Sequence, residues 1–418
     1  MPPDKTSTGP QAARLTPRGR GAVAAIAAQG PCNVIDRSAP SVFRAANRRP
    51  LASQPLNRIV FGHWGKSTVA GNPISQDAEP PEAGSFGEEV VVCRVSEQRT
   101  EIYCHGGDAA VDRILCDLAE LGFQTTSWQN LEQASGSLVQ VECLQALGEA
   151  GTLRAAEHLL QQDGLLETAF GQLVQLAETV FPPAGSIDSP AACAQLKAQI
   201  NSLLQWSTWG LRLVTGWQVV LGGRPNAGKS SLMNALLGFS RAIVSEQPGT
   251  TRDSIGHSTA FDGWPVQLHD TAGLRQTSDS LEAAGIQRAE ALFSRADCRL
   301  LLLDRSTPLE PADLELLASW PDALVLATKC DLPAAWEGPL REAVAARNPL
   351  EVSAETGAGL AGLMSQIVRR LVPREPSPGT PFPVSARQVA LLQQAAGFLT
   401  ANPPDAERLT TCLRELAR

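Results

Sequence analysis

The segment Gly223-Arg-Pro-Asn-Ala-Gly-Lys-Ser230 constrains this chain more than any other. It has the spacing Gly-x4-Gly-Lys-Ser, follows the apolar run Trp217–Leu221 and precedes Ser231–Leu237, a helix-forming run closed by Gly238. Strand, glycine loop and helix in that order wrap backbone N–H groups around a phosphate, and glycine is needed because a β-carbon would hold the backbone away. Gly223, Asn226, Ala227, Gly228 and Ser231 therefore read as phosphate contacts. Lys229 reads as the cation on the β- and γ-phosphates, and the Ser230 hydroxyl as a Mg²⁺ ligand. The fold class that follows is an α/β domain of the P-loop type.

A phosphate loop does not choose a base. That choice reads from a second apolar run, Ala323–Ala327, which enters Thr328-Lys-Cys-Asp331. Guanine presents N1–H and N2–H, which one carboxylate accepts as a bidentate pair, and adenine lacks that edge. Asp331 is the expected discriminator, Lys329 is expected to pack over base and loop, and Thr328 offers an oxygen acceptor. Ser353-Ala354, after Leu350-Glu-Val352, would supply a backbone contact to the base oxygen. Between the two sites, Val266–His269 alternates as a strand ending in Asp270-Thr-Ala-Gly273. Asp270 can hold Mg²⁺ through water, and the Gly273 amide can sense the γ-phosphate. Upstream, Gly249-Thr250-Thr251-Arg-Asp253 supplies Thr250 and the Thr251 hydroxyl, the latter for Mg²⁺. These motifs make GTP the expected ligand, Mg²⁺ its cofactor, and hydrolysis to GDP and phosphate the expected reaction.

Length and composition organise the rest. At 418 residues the chain is long for one core. A net charge of −8 argues against a broad nucleic-acid footprint, although Arg14, Arg18, Arg20, Arg37, Arg44, Arg48, Arg49 and Arg58 crowd the first sixty positions. Nine cysteines without a C-x-x-C pair fit neither a disulfide framework nor a zinc site. With no signal-type segment and no long apolar run, a cytoplasmic protein without a membrane span is expected. Residues 1–13 read as disordered, Gly21–Ile26 and Val90–Cys93 as strands, and Val111 to Leu121 as a helix capped by Gly122. The domain reading is 1–125 mixed α/β, 126–215 helical, 216–373 nucleotide-binding, and 374–418 a proline-rich linker followed by two helices that return to the helical domain.

These residues resemble the tRNA-modifying GTPase family MnmE, also called TrmE. The likeness runs through Gly223–Ser231, Arg241-Ala-Ile-Val-Ser245, Gly249-Thr-Thr-Arg-Asp253 and Asp270-Thr-Ala-Gly-Leu-Arg275. Thr16-Pro-Arg-Gly-Arg-Gly-Ala22 and Glu101-Ile-Tyr-Cys-His-Gly-Gly107 extend it into the first domain. The resemblance implies a G domain inserted in an α-helical domain, preceded by a folate-binding-like mixed α/β domain. It implies K⁺ bound through Asn226, and Glu282 organising the attacking water, since Leu274 stands where Ras-type enzymes place a glutamine. The implied catalytic set is thus Glu282, Lys229, Asn226 and Thr251. It also implies a one-carbon tetrahydrofolate near Arg18, Arg20 and His105, a homodimer, a flavin-dependent MnmG-type partner and tRNA.

The chain departs from the family pattern in three places. Thr328 stands where Asn is usual, so weaker guanine affinity is expected without lost selectivity. The family's Phe-Thr-x-Arg-Ala-Phe segment has no counterpart around Ser127 to Leu147, and its terminal Cys-x-Gly-Lys none in Thr411-Cys-Leu-Arg-Glu-Leu-Ala-Arg418. Cys412 shares an apolar helical face with Leu409, Leu413 and Leu416, and reads as core. Three functions compete: wobble-uridine modification of tRNA driven by GTP, a GTP-driven switch or assembly factor without modification chemistry, and a folate-binding structural module whose GTPase is regulatory. The missing terminal cysteine points to the second, and the His105 and Arg18–Arg20 motifs point to the first or the third.

Overall fold

Two sheets carry the chain, and their strands are joined in different ways. The computed structural model describes residues 9–19, 21–37, 41–65, 87–133, 136–182, 190–239, 256–270, 296–401 and 404–418. The first compact unit ends at Gly136 and the second begins at Ser137.

The first unit holds β1 (Gln11–Arg14), β2 (Val23–Gln29), β3 (Phe43–Ala45), β4 (Ile59–Trp64), β5 (Glu88–Arg94), β6 (Arg99–His105) and β7 (Gln124–Thr125). They lie in the order β3-β4-β5-β6-β2-β1-β7, every pair antiparallel except β1 with β7. A short helix α1 (Asn33–Asp36) precedes β3, and α2 (Asp108–Glu120) buries Val111, Ile114 and Leu118 with Ile26, Val92 and Ile102. Gly122 takes φ +94° just after α2, the left-handed conformation that a C-terminal cap needs. Helix α3 (Trp128–Gln133) packs on β1 through Leu131, Ala13 and Ala27, so the unit runs on past position 125. The expectation of disorder over residues 1–13 fails from Gln11 onward. Ala12 and Ala13 are fully buried in a strand paired on both sides, a tertiary gain that composition does not record.

The second unit begins with helices α4 (Leu138–Gly148), α5 (Leu153–Leu160), α6 (Gln162–Val180), α7 (Pro190–Leu204) and α8 (Ser207–Thr215). Its six-stranded sheet comprises β8 (Trp217–Gly223), β9 (Gly256–Phe261), β10 (Trp264–Asp270), β11 (Cys298–Asp304), β12 (Leu324–Thr328) and β13 (Leu350–Val352). The order is β13-β12-β11-β8-β10-β9, parallel throughout except for β9. Helices α9 (Lys229–Phe239), α10 (Pro311–Ser319), α11 (Gly338–Ala345) and α12 (Leu360–Leu371) complete this α/β part. Helix α9 continues through Gly238 instead of stopping there, since Gly238 does not adopt the positive φ of a cap. The last helices, α13 (Ala386–Thr400) and α14 (Ala406–Leu416), pack on α7 and α6 respectively. The strands β8 and β11 are almost wholly apolar, as strands covered on both faces must be.

Candidate functional site

Parallel strands end along one edge, and the site is built there. After β8 the chain turns at Gly223, where φ is +141° and a β-carbon would stand 2.4 Å from the Leu302 carbonyl oxygen of β11. Only glycine fits that approach. Gly228 has open space around it but φ +88°, so conformation rather than room selects glycine there. Asn226 is exposed at φ +65°, an unusual conformation for a residue with a side chain.

Lys229 is buried, and its Nζ donates to the carbonyls of Gly223 at 3.0 Å and Arg224 at 2.8 Å. The ammonium is thereby held inside the loop that it would share with phosphate oxygens. Ser230 Oγ donates to Asp270 Oδ2 at 2.7 Å, joining the start of α9 to the end of β10. A hydroxyl and a carboxylate this close form the hard-oxygen pair that Mg²⁺ accepts, so the residues present fit that ion. Arg224 is pinned to Glu310 at 2.5 Å and Asp313 at 3.2 Å, which themselves form the capping box of α10.

The base-side loop is tied directly to the phosphate loop. Thr328 Oγ1 lies 2.8 Å from the Ala227 carbonyl and 3.1 Å from that of Leu303. A hydroxyl has one proton, so it donates to one of these carbonyls at a time. Beside the acceptor capacity expected of it, the Thr328 hydroxyl thus serves as a donor that ties the base-side loop to the phosphate loop. Lys329, at φ +57°, sets Nζ 2.6 Å from Asp304 Oδ2 at the end of β11. Burial pushes the Asp304 carboxyl up, but Lys329 and Ser306 outweigh it and hold the group below its ordinary 3.8. A cavity of about 440 Å³ is lined by Gly228, Ser231, Thr328, Lys329, Asp331 and Ala354. Ser353 is fully buried, its Oγ accepting from the Thr356 amide at 3.1 Å, so it shapes the loop that brings Ala354 to the cavity.

Asp304 and Arg305 were not singled out from sequence, although a polar pair ending an apolar strand beside a phosphate loop is a readable signal. Thr250, Thr251, Gly273 and Glu282 lie outside the described residues, as does Arg20.

In the first unit, the Arg18 and His105 motifs lie side by side. The Gly21 amide donates to the Gly106 carbonyl at 2.9 Å, and a β-carbon on Gly106 would stand 2.1 Å from the Gly21 oxygen. Arg14 pairs with Asp108 at 2.5 Å, while His105 Nδ1 sits 2.6 Å from Glu88 Oε1 with most of its ring exposed. The Arg14 guanidinium, with the Gly19 amide, holds Asp108 below the usual carboxylate range. Cys412 is buried with Leu409, Leu413 and Leu416, and its Sγ is 3.2 Å from the Leu391 carbonyl. Burial pushes that thiol up, so little thiolate is present at neutral pH. No described helix is long and apolar enough to cross a membrane.

A family model described as 50S ribosome-binding GTPase matches residues 218–329, which covers the phosphate loop and ends at Lys329, two residues before Asp331. Fold, site and match together define a P-loop GTPase, an enzyme that binds and hydrolyses GTP. The tRNA modification GTPase MnmE of Symbiobacterium thermophilum is 33% identical over 392 residues, 86% of this chain and 82% of that protein. That of Geobacillus kaustophilus is 33% identical over 419 residues, 92% and 87% of the two chains. The G domain of the T. maritima FeoB iron transporter is 28% identical over 37% of this chain and 98% of its own, at a TM-score of 0.26. The chain belongs to the family of tRNA modification GTPases called MnmE.

Proposed function

We propose that this chain spends GTP hydrolysis on the modification of tRNA, at the wobble uridine of the anticodon. One observation carries the nucleotide part of the reading. The Thr328–Ala227 hydrogen bond at 2.8 Å makes the phosphate loop and the base loop two walls of one cleft. Asp331 accepts guanine N1–H and N2–H, the Ala354 backbone meets O6, and Lys229 with the loop amides neutralises the phosphates. Ser230, Asp270 and Thr251 would hold Mg²⁺, which screens the β- and γ-phosphate charge when bound. The position of Asn226 in the loop suits a K⁺ ligand beside the same phosphates, and Glu282 is assigned the attacking water. The family's architecture is assigned on the packing of α13 and α14 against α7 and α6, which makes the nucleotide domain an insertion in a helical domain. A one-carbon folate is assigned to the Arg18, Arg20 and His105 region, with a homodimer formed through the first unit and a flavin-dependent partner.

The burial of Cys412 favours a second reading, a GTP-driven switch without modification chemistry, because a core thiol of raised pKa supplies no nucleophile. Affinity purification of the native protein separates the two. Recovery of tRNA with a flavoprotein is expected, and ribosomal subunits without either would overturn the tRNA reading.

A further inference from the structure

We infer that Arg305 is a positioning residue for base selection, bracing the loop that carries Asp331 against the strand that delivers Ser353-Ala354. The inference rests on Asp331 being the guanine acceptor. Arg305 opens the turn after β11, and its main chain secures both ends of the base-side loop. Its amide donates to the Thr328 carbonyl at 3.0 Å and its carbonyl accepts from the Ala335 amide at 2.9 Å. The side chain then divides between the two base-facing segments. Nη1 donates to the Cys330 carbonyl at 3.1 Å, and Nε lies 3.5 Å from Glu351 Oε1 on β13. Cys330 also donates its own amide to the Val352 carbonyl at 3.3 Å.

Cys330 immediately precedes Asp331, and Glu351 stands two residues before Ser353, so one guanidinium spans the two segments that lead into the base contacts. A planar fork with donors in fixed directions suits that span, and a lysine ammonium would reach one end only. The other members of the loop are anchored elsewhere, Thr328 to Ala227 and Lys329 to Asp304. Asp331 itself is exposed, so its aim depends on the peptide before it. Accepting N1–H and N2–H together requires the carboxylate plane to match the purine edge, and a tilt weakens the second bond first.

The test measures GTP and ITP binding to Arg305→Ala and Arg305→Lys, with Asp331→Asn tested on GTP and XTP beside them. ITP lacks the 2-amino group, so the GTP-to-ITP affinity ratio reads the second hydrogen bond alone. Arg305→Ala is expected to weaken GTP on the order of ten-fold, the effect of one charge-assisted hydrogen bond. ITP weakens much less, so the ratio narrows. At saturation kcat stays within about two-fold, because the contact acts on ground and transition state alike. Arg305→Lys recovers part of the ratio. An unchanged ratio in Arg305→Ala overturns the inference, including the case where both affinities fall together, which is what a merely structural contact would produce. If the alanine variant does not fold, an unchanged ratio in Arg305→Lys overturns it equally. Failure of Asp331→Asn to exchange the ranks of GTP and XTP would instead bring down the base assignment itself.

Discussion

The parallel sheet of the second unit and the largely antiparallel sheet of the first put their strand ends to different use. In the former, β8, β10, β11, β12 and β13 all finish along one edge, so Lys229, Asp270, Asp304, Thr328 and Ser353 converge although 124 positions separate the first from the last, 353 − 229. In the latter, neighbouring strands finish at opposite edges, and polar residues scatter. The Arg18 and His105 motifs do meet there, where the start of β2 pairs with the end of β6 through Val23 and His105. Parallel order turns a series of motifs in sequence into a cluster in space, and antiparallel order does so only where two ends happen to pair.

The sharpest break of that contrast is Lys229→Ala. Removing the buried ammonium is expected to lower kcat/KM for GTP by at least about 100-fold, followed as phosphate release. A variant with near-normal turnover would mean that the chemistry is not centred on the parallel strand ends. Next in size is Ile102→Ala, at the centre of the first unit's core, which is expected to destabilise that unit by about 2–5 kcal/mol. GTP turnover should stay near normal below the new transition, because Ile102 and the nucleotide-domain residue Leu300 lie in separate buried clusters. Turnover that falls in step with the lost stability would contradict the separation.

A smaller effect is expected from Thr328→Val. It removes the donor shared by the Ala227 and Leu303 carbonyls, leaves buried acceptors unmet, and should weaken GTP on the order of ten-fold in a binding titration. An unchanged affinity would show that the two loops need no tie.

The smallest effect concerns pH. Burial lowers His158 despite the pull of Glu375, and burial together with repulsion from His257 lowers His269, both below the ordinary 6.5. The unfolded chain then binds more protons than the folded one as pH falls through 6.5, so stability is full above that value and declines below it. Thermal unfolding of the second unit is expected to drop by a few degrees between about pH 7.5 and 5.5. The double variant His158→Gln, His269→Gln should flatten that slope, and an unaltered slope would assign it to other groups.

Much of the second unit was legible. The strands around Trp217–Leu221, Val266–His269 and Ala323–Ala327 appear where their sequence patterns predict them, because an apolar run or an apolar–polar alternation bounded by polar turns admits few other placements. Less was legible where a residue's role depends on partners distant in sequence. Strand β1 is invisible in the composition of Gln11–Arg14 and exists because β2 and β7 flank it. The donor role of Thr328 needs the Ala227 carbonyl, 101 residues away, and Lys329 needs Asp304, 25 away. No local pattern encodes such pairs. The α9 terminus was misjudged for the opposite reason, since Gly238 is a local stop signal that the helix overrides at a modest cost of about 1 kcal/mol.

One carboxylate, Asp331, is proposed to select guanine in this chain, and the affinities of wild type and Asp331→Asn for GTP and XTP test that assignment most directly. The amide of Asn offers a donor where guanine has N2–H and xanthine has an oxygen, so the preference should pass from GTP to XTP by several kcal/mol, as expected when buried polar groups are left unpaired at about 1–3 kcal/mol each. Wild type should rank GTP far above XTP, and the variant should reverse the order. Affinities that keep the same rank in both proteins would show that Asp331 does not select the base.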